Sequence, residues 1–534
     1  MVEDMQSPSH KSHLKTNLIY RLNYSADLVE KLLKLKLKDG RAISDLFTIE
    51  GISFLDIFTA ELAHVHLPQV FLTKKDENAL YQKFVPKLLR FRSYLNQKLF
   101  EIKPNNKKKV KSIEKDCFVL LGFTNRMYID ILQPIISNIK KRNNRKVVTL
   151  MDNDLPARNE IMQDDDVRYI WQYNDKKTSA YSNLLKKSLN NAISQINLDS
   201  VLLELLPEND VIYLKNIKYL LNRLFFAYMP NSIKYITSAN HFIHNYKPSI
   251  IISPDTADSR TRIFTLVAKK FGIPCLDVQF GLAGDEAVEW RFSMADKIAV
   301  WGESSKNAIL KQFVPHDRIV LTGSPRHDIL LNSQGQNSDF VIPRIPIDFK
   351  VVLLASTYNF KDKNHADISV LKSMQLAIAE SIRTTSNIFL LIKPHPHEDV
   401  VETKSFFPLS TKIHFIEKDV DIKKLIPLCD AFISYGSTAT IDSLIAGKLT
   451  ICPIFSGWNF SSDIFKNSGA TLNPKNYNEL YDIFDSISKG TEEFYLAQTS
   501  ESRIAFLKSY IFKTDDKSSK RVIDLSINMI RNKN

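Results

Sequence analysis

A cation and an imidazole stand directly after an apolar run in the stretch KPHP, where Lys393 and His395 are each followed by a proline. A plain turn would use Gly, Asn or Asp, whereas proline restricts its own backbone and that of the residue before it. A cation or imidazole held in this way can neutralise a diphosphate or a leaving phosphate. A capping turn with a solvated histidine is the alternative interpretation.

A second candidate phosphate site lies in the stretch GSTATIDSLIAGK (436–448). Gly436 follows another apolar run, and Ser437 and Thr438 open a segment whose apolar residues recur at helical spacing. Free N–H groups at a helix start attract phosphate, although Ser and Thr are also ordinary N-caps there. Asp442, one turn later, is either a hydrogen-bond acceptor for ribose hydroxyls or a solvated helix acid.

Strands and helices alternate in two sets along the chain, and these elements must position both stretches. The first set begins at Cys117, the second begins at KVVLLAS (350–356), and the two are joined near 332–349. Apolar strands alternating with helices predict parallel sheets covered on both faces. Ligands bind outside the carboxyl ends of such strands. We therefore expect KPHP and GST to meet at one sheet edge, in a cleft between two domains.

The predicted fold class is α/β, with two facing Rossmann-like domains that contain parallel sheets and an N-terminal mainly helical region. A chain of 534 residues is too long for one core. The predicted domains are an accessory helical region at 1–112, an N-terminal Rossmann-like domain at 113–338 and a C-terminal Rossmann-like domain at 339–534. We assign no chemistry to the first of these regions.

The excess of basic over acidic residues indicates which kinds of partner the protein binds. The net charge of +13 suits anionic partners such as nucleotides, acidic glycans or an anionic membrane surface. The basic residues are mostly dispersed, so we expect no nucleic-acid partner. No apolar run approaches the ~20 residues of a membrane span, and the N-terminus has no apolar signal core. We expect a cytoplasmic protein, and peripheral association with the inner face of the cytoplasmic membrane stays open.

Five stretches together resemble the GT-B glycosyltransferases of bacterial surface polysaccharides. That group includes capsule Kdo transferases, polysialyltransferases and the CDP-glycerol glycerophosphotransferases of teichoic acid. The resemblance covers residues from about 250 to 455. The matching stretches are ADKIAVWGESSK (295–306), LTGSPRHD (321–328), LLASTY (353–358), KPHP (393–396) and GSTATIDSLIAGK (436–448). Their order and spacing indicate the GT-B fold, but they do not identify the donor.

The resemblance implies that 113–338 is the acceptor-side domain and 339–534 the nucleotide-donor domain, and it implies which residues bind the donor. His395 and the helix start at Ser437 would hold its phosphate, and Asp442, which stands where Glu is more usual, would face the ribose. The nucleotide is part of a substrate, so no cofactor is expected. The full donor-binding set implied is Ser356, Thr357, Lys393, His395, Gly436, Ser437, Thr438 and Asp442.

The sequence departs from its relatives where a catalytic base is expected. Relatives often read Gln-His-Gly at a strand end where this chain has Phe280 between Gln279 and Gly281. A base must lie within hydrogen-bond reach of the acceptor hydroxyl. A retaining mechanism would need no conventional base at this place. The catalytic candidates are His395 and the acids Asp255, Asp258, Asp285 and Glu286.

The function expected from these observations is metal-independent transfer of a sugar from a nucleotide-sugar donor to a glycan or lipid-linked glycan acceptor. A CMP-linked sugar is one option for the donor. Three alternatives stay open: transfer of a polyol phosphate from a CDP-alcohol, epimerisation of a nucleotide sugar, and a catalytically inactive nucleotide- or glycan-binding scaffold.

Two further polar stretches, at 152–154 and 125–126, follow strands of the first set. Asp152 and Asp154 spell the D-x-D motif that binds metal and nucleotide in a different glycosyltransferase fold. Here the motif follows the second strand of a strand-helix-strand unit, so we interpret it as a polar loop. Asn125 and Arg126 follow the first strand and are expected to face the acceptor.

Overall fold

The computed structural model divides into two compact units, Met1–Arg326 with Ser518–Asn534, and His327–Lys517. The predicted domain boundaries at 112/113 and 338/339 lie outside the described residues, and those domain limits stay a prediction. The structure describes residues 10–72, 117–123, 126–143, 146–152, 167–173, 179–332, 344–357, 368–395, 398–407, 409–418, 420–458 and 463–533.

The N-terminal part of the first unit is mainly helical, as predicted. Its helices are His10–Thr16, Leu18–Lys34, Ile43–Leu46, Asp56–Phe58 (3-10), Thr59–Glu61, Leu62–His66 (π) and Leu67–Val70. Strands β1 (Thr48–Ile49) and β2 (Ile52–Ser53) form an antiparallel pair. The ring of Phe47 stacks on that of Phe225 at 5.2 Å. The N-terminal helices thus share one apolar core with the helices that precede β6.

A seven-stranded parallel sheet forms the centre of the first unit, in the order β5-β4-β3-β6-β7-β8-β9. Alternate residues of β3 enter two apolar clusters, with Val119 in one and Phe118 in the other, so both faces of the sheet are covered. The strand order reverses between β3 and β6, which makes their carboxyl ends a topological switch point. The strands are β3 (Phe118–Leu121), β4 (Val147–Met151), β5 (Val167–Tyr169), β6 (Ile250–Ser253), β7 (Cys275–Val278), β8 (Lys297–Val300) and β9 (Ile319–Leu321).

The last helix of the chain, Ser518–Arg531, belongs to the first unit. It packs against Arg126–Asn143 and buries Val522 and Ile523 beside Phe118. The other helices of this unit are Ile170–Tyr173 (3-10), Ser179–Ser194, Leu198–Leu205, Glu208–Tyr213 (3-10), Leu214–Arg223, Leu224–Tyr228 (π), Met229–Tyr246, Ser259–Lys270, Val288–Phe292 (3-10), Glu303–Lys311 and His316–Arg318 (3-10). The short 3-10 turn Pro325–His327 spans the unit boundary.

The second unit contains a five-stranded parallel sheet in the order β12-β11-β10-β13-β14. Val352 and Leu353 enter different apolar clusters, so this sheet too is covered on both faces. Its strands are β10 (Lys350–Ala355), β11 (Ile388–Lys393), β12 (Ile413–Phe415), β13 (Ala431–Ser434) and β14 (Leu449–Ile451). Its helices are Asp328–Asn332, Ile368–Thr384, Val400–Lys404, Ile422–Leu425, Ile426–Leu428 (3-10), Ala439–Ile445, Asp463–Lys466, Tyr477–Ser488 and Glu493–Tyr510.

The predicted α/β class with parallel sheets is confirmed in both units. The sequence did not reveal β5, a three-residue edge strand whose residues are all half-exposed and so lack a continuous buried apolar pattern. Within the described part of the chain, no helix has both the length and the hydropathy needed to cross a bilayer.

Candidate functional site

Strand register brings the predicted donor residues of the second unit to one sheet edge. Ala355, the last residue of β10, pairs with Lys393 of β11 on one side and with Ser434 of β13 on the other. Because the strands are parallel, the residues that follow them leave the sheet at the same edge. Ser356 and Thr357 therefore leave the sheet between the residues that follow β11 and those that follow β13, and their predicted contact with the donor stays a prediction.

A buried carboxylate that the sequence analysis did not single out holds the KPHP turn in place. Glu398 is 2% exposed. Its Oε2 accepts the backbone N–H of His395 at 2.7 Å, and its Oε1 accepts the hydroxyls of Ser356, at 2.7 Å, and Thr403. Burial raises the pKa of Glu398, although these hydrogen bonds oppose the shift. One side chain thus ties the end of β10 to the turn after β11. An acid three residues after His395 was the available signal, since such spacing is typical of turn capping.

Glu398→Gln is expected to change the free energy of unfolding by less than about 1 kcal/mol, and Glu398→Ala to lower it by roughly 3 kcal/mol. Gln can still accept the N–H of His395, while its amide donates to the hydroxyl of Ser356 or Thr403, which can rotate to accept. Alanine removes the acceptor of the N–H of His395 and of the hydroxyl of Ser356, while the hydroxyl of Thr403 keeps a bond to the carbonyl of Asp399 at 3.2 Å. Urea denaturation measures the free energy of unfolding of both variants. Glu402→Ala is the matched control, because Glu402 is exposed. Equal losses for the Gln and Ala variants would contradict this assignment.

The ammonium of Lys393 is buried inside the same turn. Its Nζ donates to the carbonyl oxygens of Pro394, at 2.8 Å, and Lys418, at 2.9 Å. The side chain is only 6% exposed. Its position stabilises the turn that carries His395, and the predicted contact between Lys393 and a phosphate stays a prediction.

The GST stretch forms a tight turn into the helix Ala439–Ile445. Gly436 has φ of +92°, a conformation that glycine adopts without steric cost. The Ser434 hydroxyl lies 2.5 Å from that of Thr440, which fixes the helix to β13. Thr438 stands at the N-cap, and within this described helix its side chain makes no capping hydrogen bond. Ser437 and Thr438 are both half-exposed. Thr438 therefore occupies the N-cap position without a side-chain capping hydrogen bond, and the phosphate contact predicted for this helix start stays a prediction.

Asp442 lies inside the second unit. Its side chain has no exposed surface, and its Oδ1 is 2.9 Å from Nε2 of His327, which is itself 3% exposed. This histidine belongs to the LTGSPRHD stretch, and the sequence analysis did not pair it with Asp442. The predicted contact of Asp442 with a ribose stays a prediction.

Polar side chains also meet at the carboxyl edge of the first sheet. Arg260 binds both oxygens of Asp258, at 3.0 and 2.5 Å, and reaches Asp152 at 2.6 Å. Asp258 also caps the helix Ser259–Lys270 through the N–H of Arg260. Burial lowers the pKa of Arg260, but its hydrogen bonds to the two acids outweigh burial and raise it. Asp258 therefore has a structural role at this edge, and its role as a base stays a prediction.

The D-x-D motif is only partly described. Asp152 is buried and holds Arg260 and the hydroxyl of Tyr235, whereas Asp154 lies outside the described residues. Among described side chains, no group of three or more His, Cys, Asp or Glu could hold a metal ion. Asn125 and the side chain of Arg126 also lie outside the described residues.

The remaining acidic candidates follow β6 and β7. Oδ1 of Asp255 accepts the N–H groups of Ala257, at 2.8 Å, and Asp258, at 3.2 Å. Burial raises the pKa of Glu286. Asp285 instead forms an exposed ion pair with Lys311 at 2.7 Å.

Phe280 is part of the apolar packing of the first unit. Its ring packs against the cluster that contains Val278 and Ile523. The preceding Gln279 is buried and accepts the backbone N–H of Trp301 at 2.8 Å, while its amide donates to Ser305 at 2.8 Å. Phe280 therefore serves packing at this strand end.

Comparison with known families finds a match. Residues 225–449 match the model of the family described as CDP-glycerol:poly(glycerophosphate) glycerophosphotransferase. This segment contains the whole predicted donor-binding set and all the catalytic candidates, from Asp255 to Asp442. A search of curated protein sequences finds no match to this chain.

Solved structures similar to this chain share its fold at low sequence identity. A UDP-N-acetylglucosamine 2-epimerase aligns with a TM-score of 0.51 and 13% identity, over 78% of this chain and 96% of that one. The structure of MnaA from S. aureus with UDP aligns with a TM-score of 0.50 and 14% identity. The alignment covers 78% of this chain and 98% of that one. The wall teichoic acid polymerase TagF aligns with a TM-score of 0.48 and 12% identity. The alignment covers 85% of this chain and 99% of that one.

The first two structures support the fold alone, and the family match supports a transferase without separating sugar transfer from glycerophosphate transfer. The resemblance found in the sequence is confirmed. The chain has a GT-B fold, and its residues 225–449 are similar to the CDP-glycerol glycerophosphotransferase family.

Proposed function

We propose that this protein transfers a polyol phosphate from a CDP-linked alcohol to a hydroxyl group of a cell-surface polymer. The observation that carries the proposal is the family match over residues 225–449. That segment includes the edge of the second sheet where three strands end together. The net charge of +13 also suits an anionic donor and a polymer that carries phosphate groups.

The second unit supplies groups suited to the donor's diphosphate. His395 provides an imidazole, Ser437 and Thr438 provide hydroxyls, and the turn at Gly436 brings backbone close to the edge. These groups can neutralise and orient a leaving CMP. In this proposal Ser356 and Glu398 position the turn that carries His395.

Sugar transfer from a CMP-linked donor is the second candidate. The KPHP and LTGSPRHD stretches resemble those of capsule sugar transferases as well as those of glycerophosphotransferases. Both reactions release CMP, so release of CMP alone does not separate them. The fate of the donor's second phosphate does, because only polyol-phosphate transfer leaves that phosphate in the product.

The test uses CDP-glycerol labelled in the phosphate next to glycerol, with a short poly(glycerol phosphate) as acceptor, with and without EDTA. We expect CMP release and label in the polymer under both conditions. Transfer of Kdo or sialic acid from CMP-linked donors, without phosphate, would replace the first candidate by the second. Interconversion of UDP-N-acetylglucosamine without acceptor would indicate an epimerase. Absence of turnover with every donor would contradict both candidates.

Binding of the nucleotide can be measured before any acceptor is found. A ligand at 100 times its Kd raises stability by roughly 2.7 kcal/mol. In a thermal-shift panel of CMP, CDP, UDP and GDP, a cytidine nucleotide is expected to give the largest rise in Tm. A larger shift with UDP would count against a cytidine donor.

A further inference from the structure

A cation that the sequence analysis did not single out lies at the KPHP turn of the second unit. Lys418 follows β12, the strand that pairs with β11 in parallel. Just beyond the paired residues, the N–H of Ile416 donates to the carbonyl oxygen of Ile392 at 2.8 Å. The chain after β12 therefore leaves the sheet at the same edge as the KPHP stretch.

Two hydrogen bonds fix Lys418 against this turn. Its carbonyl oxygen accepts the ammonium of Lys393 at 2.9 Å, and its own ammonium donates to the carbonyl oxygen of Glu398. The carboxylate of the same glutamate accepts the backbone N–H of His395 at 2.7 Å. One residue, Glu398, therefore holds both the ammonium of Lys418 and the backbone that carries the imidazole.

Lys393 and Lys418 differ in what can reach them. Lys393 is 6% exposed, and its ammonium donates to two carbonyl oxygens inside the turn. Lys418 is exposed, and in the described part of the chain its ammonium is held by a neutral carbonyl oxygen rather than by an acid. An ammonium has three N–H donors, so the bond to Glu398 leaves donors for a ligand. Lys418 is thus the lysine of this turn that an anion in solvent can contact.

The order of the strands sets where Lys418 lies along the sheet edge. Ser437 follows β13, His395 follows β11 and Lys418 follows β12, in a sheet ordered β12-β11-β10-β13-β14. Neighbouring strands lie about 4.8 Å apart. Lys418 therefore follows a strand that lies one position beyond that of His395, on the side away from Ser437.

We propose that the ammonium of Lys418 binds the phosphate next to the polyol in the CDP-linked donor, which is the phosphate that the reaction transfers. This inference rests on the proposed function, in which Ser437, Thr438 and His395 act on the leaving CMP. A diphosphate that is held by those groups and extends along the edge brings its second phosphate toward β12. Lysine binds phosphate as a point charge.

A lysine with a purely structural role would behave differently. If Lys418 only fastened the KPHP turn, its loss would displace His395 and weaken the binding of CMP and CDP alike. If Lys418 binds the second phosphate, its loss weakens the binding of CDP alone, because CMP has no second phosphate. The affinities for the two nucleotides therefore separate the two roles.

Lys418→Gln is expected to weaken the affinity for CDP about 10-fold and to leave the affinity for CMP within about two-fold of wild type. Isothermal titration calorimetry of the full chain with CMP and with CDP measures both affinities. Glutamine removes the charge and keeps an N–H donor for the carbonyl oxygen of Glu398. Lys418→Arg keeps the charge and should hold the affinity for CDP within a few-fold of wild type.

Lys412→Gln is the matched control. Lys412 precedes β12, at the opposite edge of the sheet, and its ammonium donates to the carbonyl oxygen of Thr385 at 2.9 Å. This variant loses the same kind of bond and should bind both nucleotides as wild type does. Equal CDP affinity in Lys418→Gln and wild type, or an equal loss of affinity for CMP and CDP, would overturn the inference alone. A wild-type chain that binds neither nucleotide would overturn the proposed function as well.

Discussion

His395→Ala is expected to lower the turnover number by a factor of about 100 to 1,000 and to leave the free energy of unfolding nearly unchanged. Two backbone hydrogen bonds hold this residue in its turn. Its N–H donates to Glu398 Oε2 at 2.7 Å, and its carbonyl accepts the N–H of Glu398 at 3.0 Å. Alanine keeps both of these bonds and removes the imidazole proposed to neutralise the leaving phosphate.

The comparison for His395 is His414→Ala. His414 lies on the edge strand β12 of the same sheet and is half-exposed, so its loss should leave turnover unchanged. Ser437→Ala should have a smaller effect than His395→Ala, because backbone N–H groups at the helix start survive the change. Steady-state kinetics at equal folded fraction measures all three variants. Equal turnover of His395→Ala and wild type would remove His395 from the mechanism.

Asp442→Ala is expected to lower the free energy of unfolding of the second unit by roughly 3–5 kcal/mol. The carboxylate and the imidazole of His327 are 2.9 Å apart and almost fully buried, so removal of one side chain takes this buried contact away from the other. His327→Ala should cost a similar amount. The double variant should cost less than the sum of the two, because the second change no longer breaks a pair.

The contribution of the Asp442–His327 contact to stability is measured by urea denaturation and by hydrogen exchange in the helix Ala439–Ile445. Asp399→Ala is the matched control, since Asp399 is an exposed acid that caps Val400–Lys404 and should cost only about 1 kcal/mol. A loss below about 1 kcal/mol for Asp442→Ala would contradict a buried pair. A weaker affinity for CMP at equal folded fraction would instead support the ribose contact implied by the resemblance.

The sequence by itself determined the architecture of the sheets. Apolar runs of four to six residues mark β3, β6, β10, β11 and β13, because strands buried on both faces need continuous apolar sequence. Parallel strands present their carboxyl ends at one edge, so the juxtaposition of KPHP and GST followed from the order of elements alone. The short, half-exposed β5 carried no such pattern and could not be predicted.

Only the tertiary structure decided which polar groups meet. Lys418 with Glu398, His327 with Asp442, and Glu398 with Ser356 are pairs distant in sequence. The return of Ser518–Arg531 to the first unit is equally invisible in local sequence. Hydrophobic patterns report how deeply a segment is buried and which local conformation it adopts. They do not report the partner of a buried charge, because that depends on the register of the strands and on where the loops between them run.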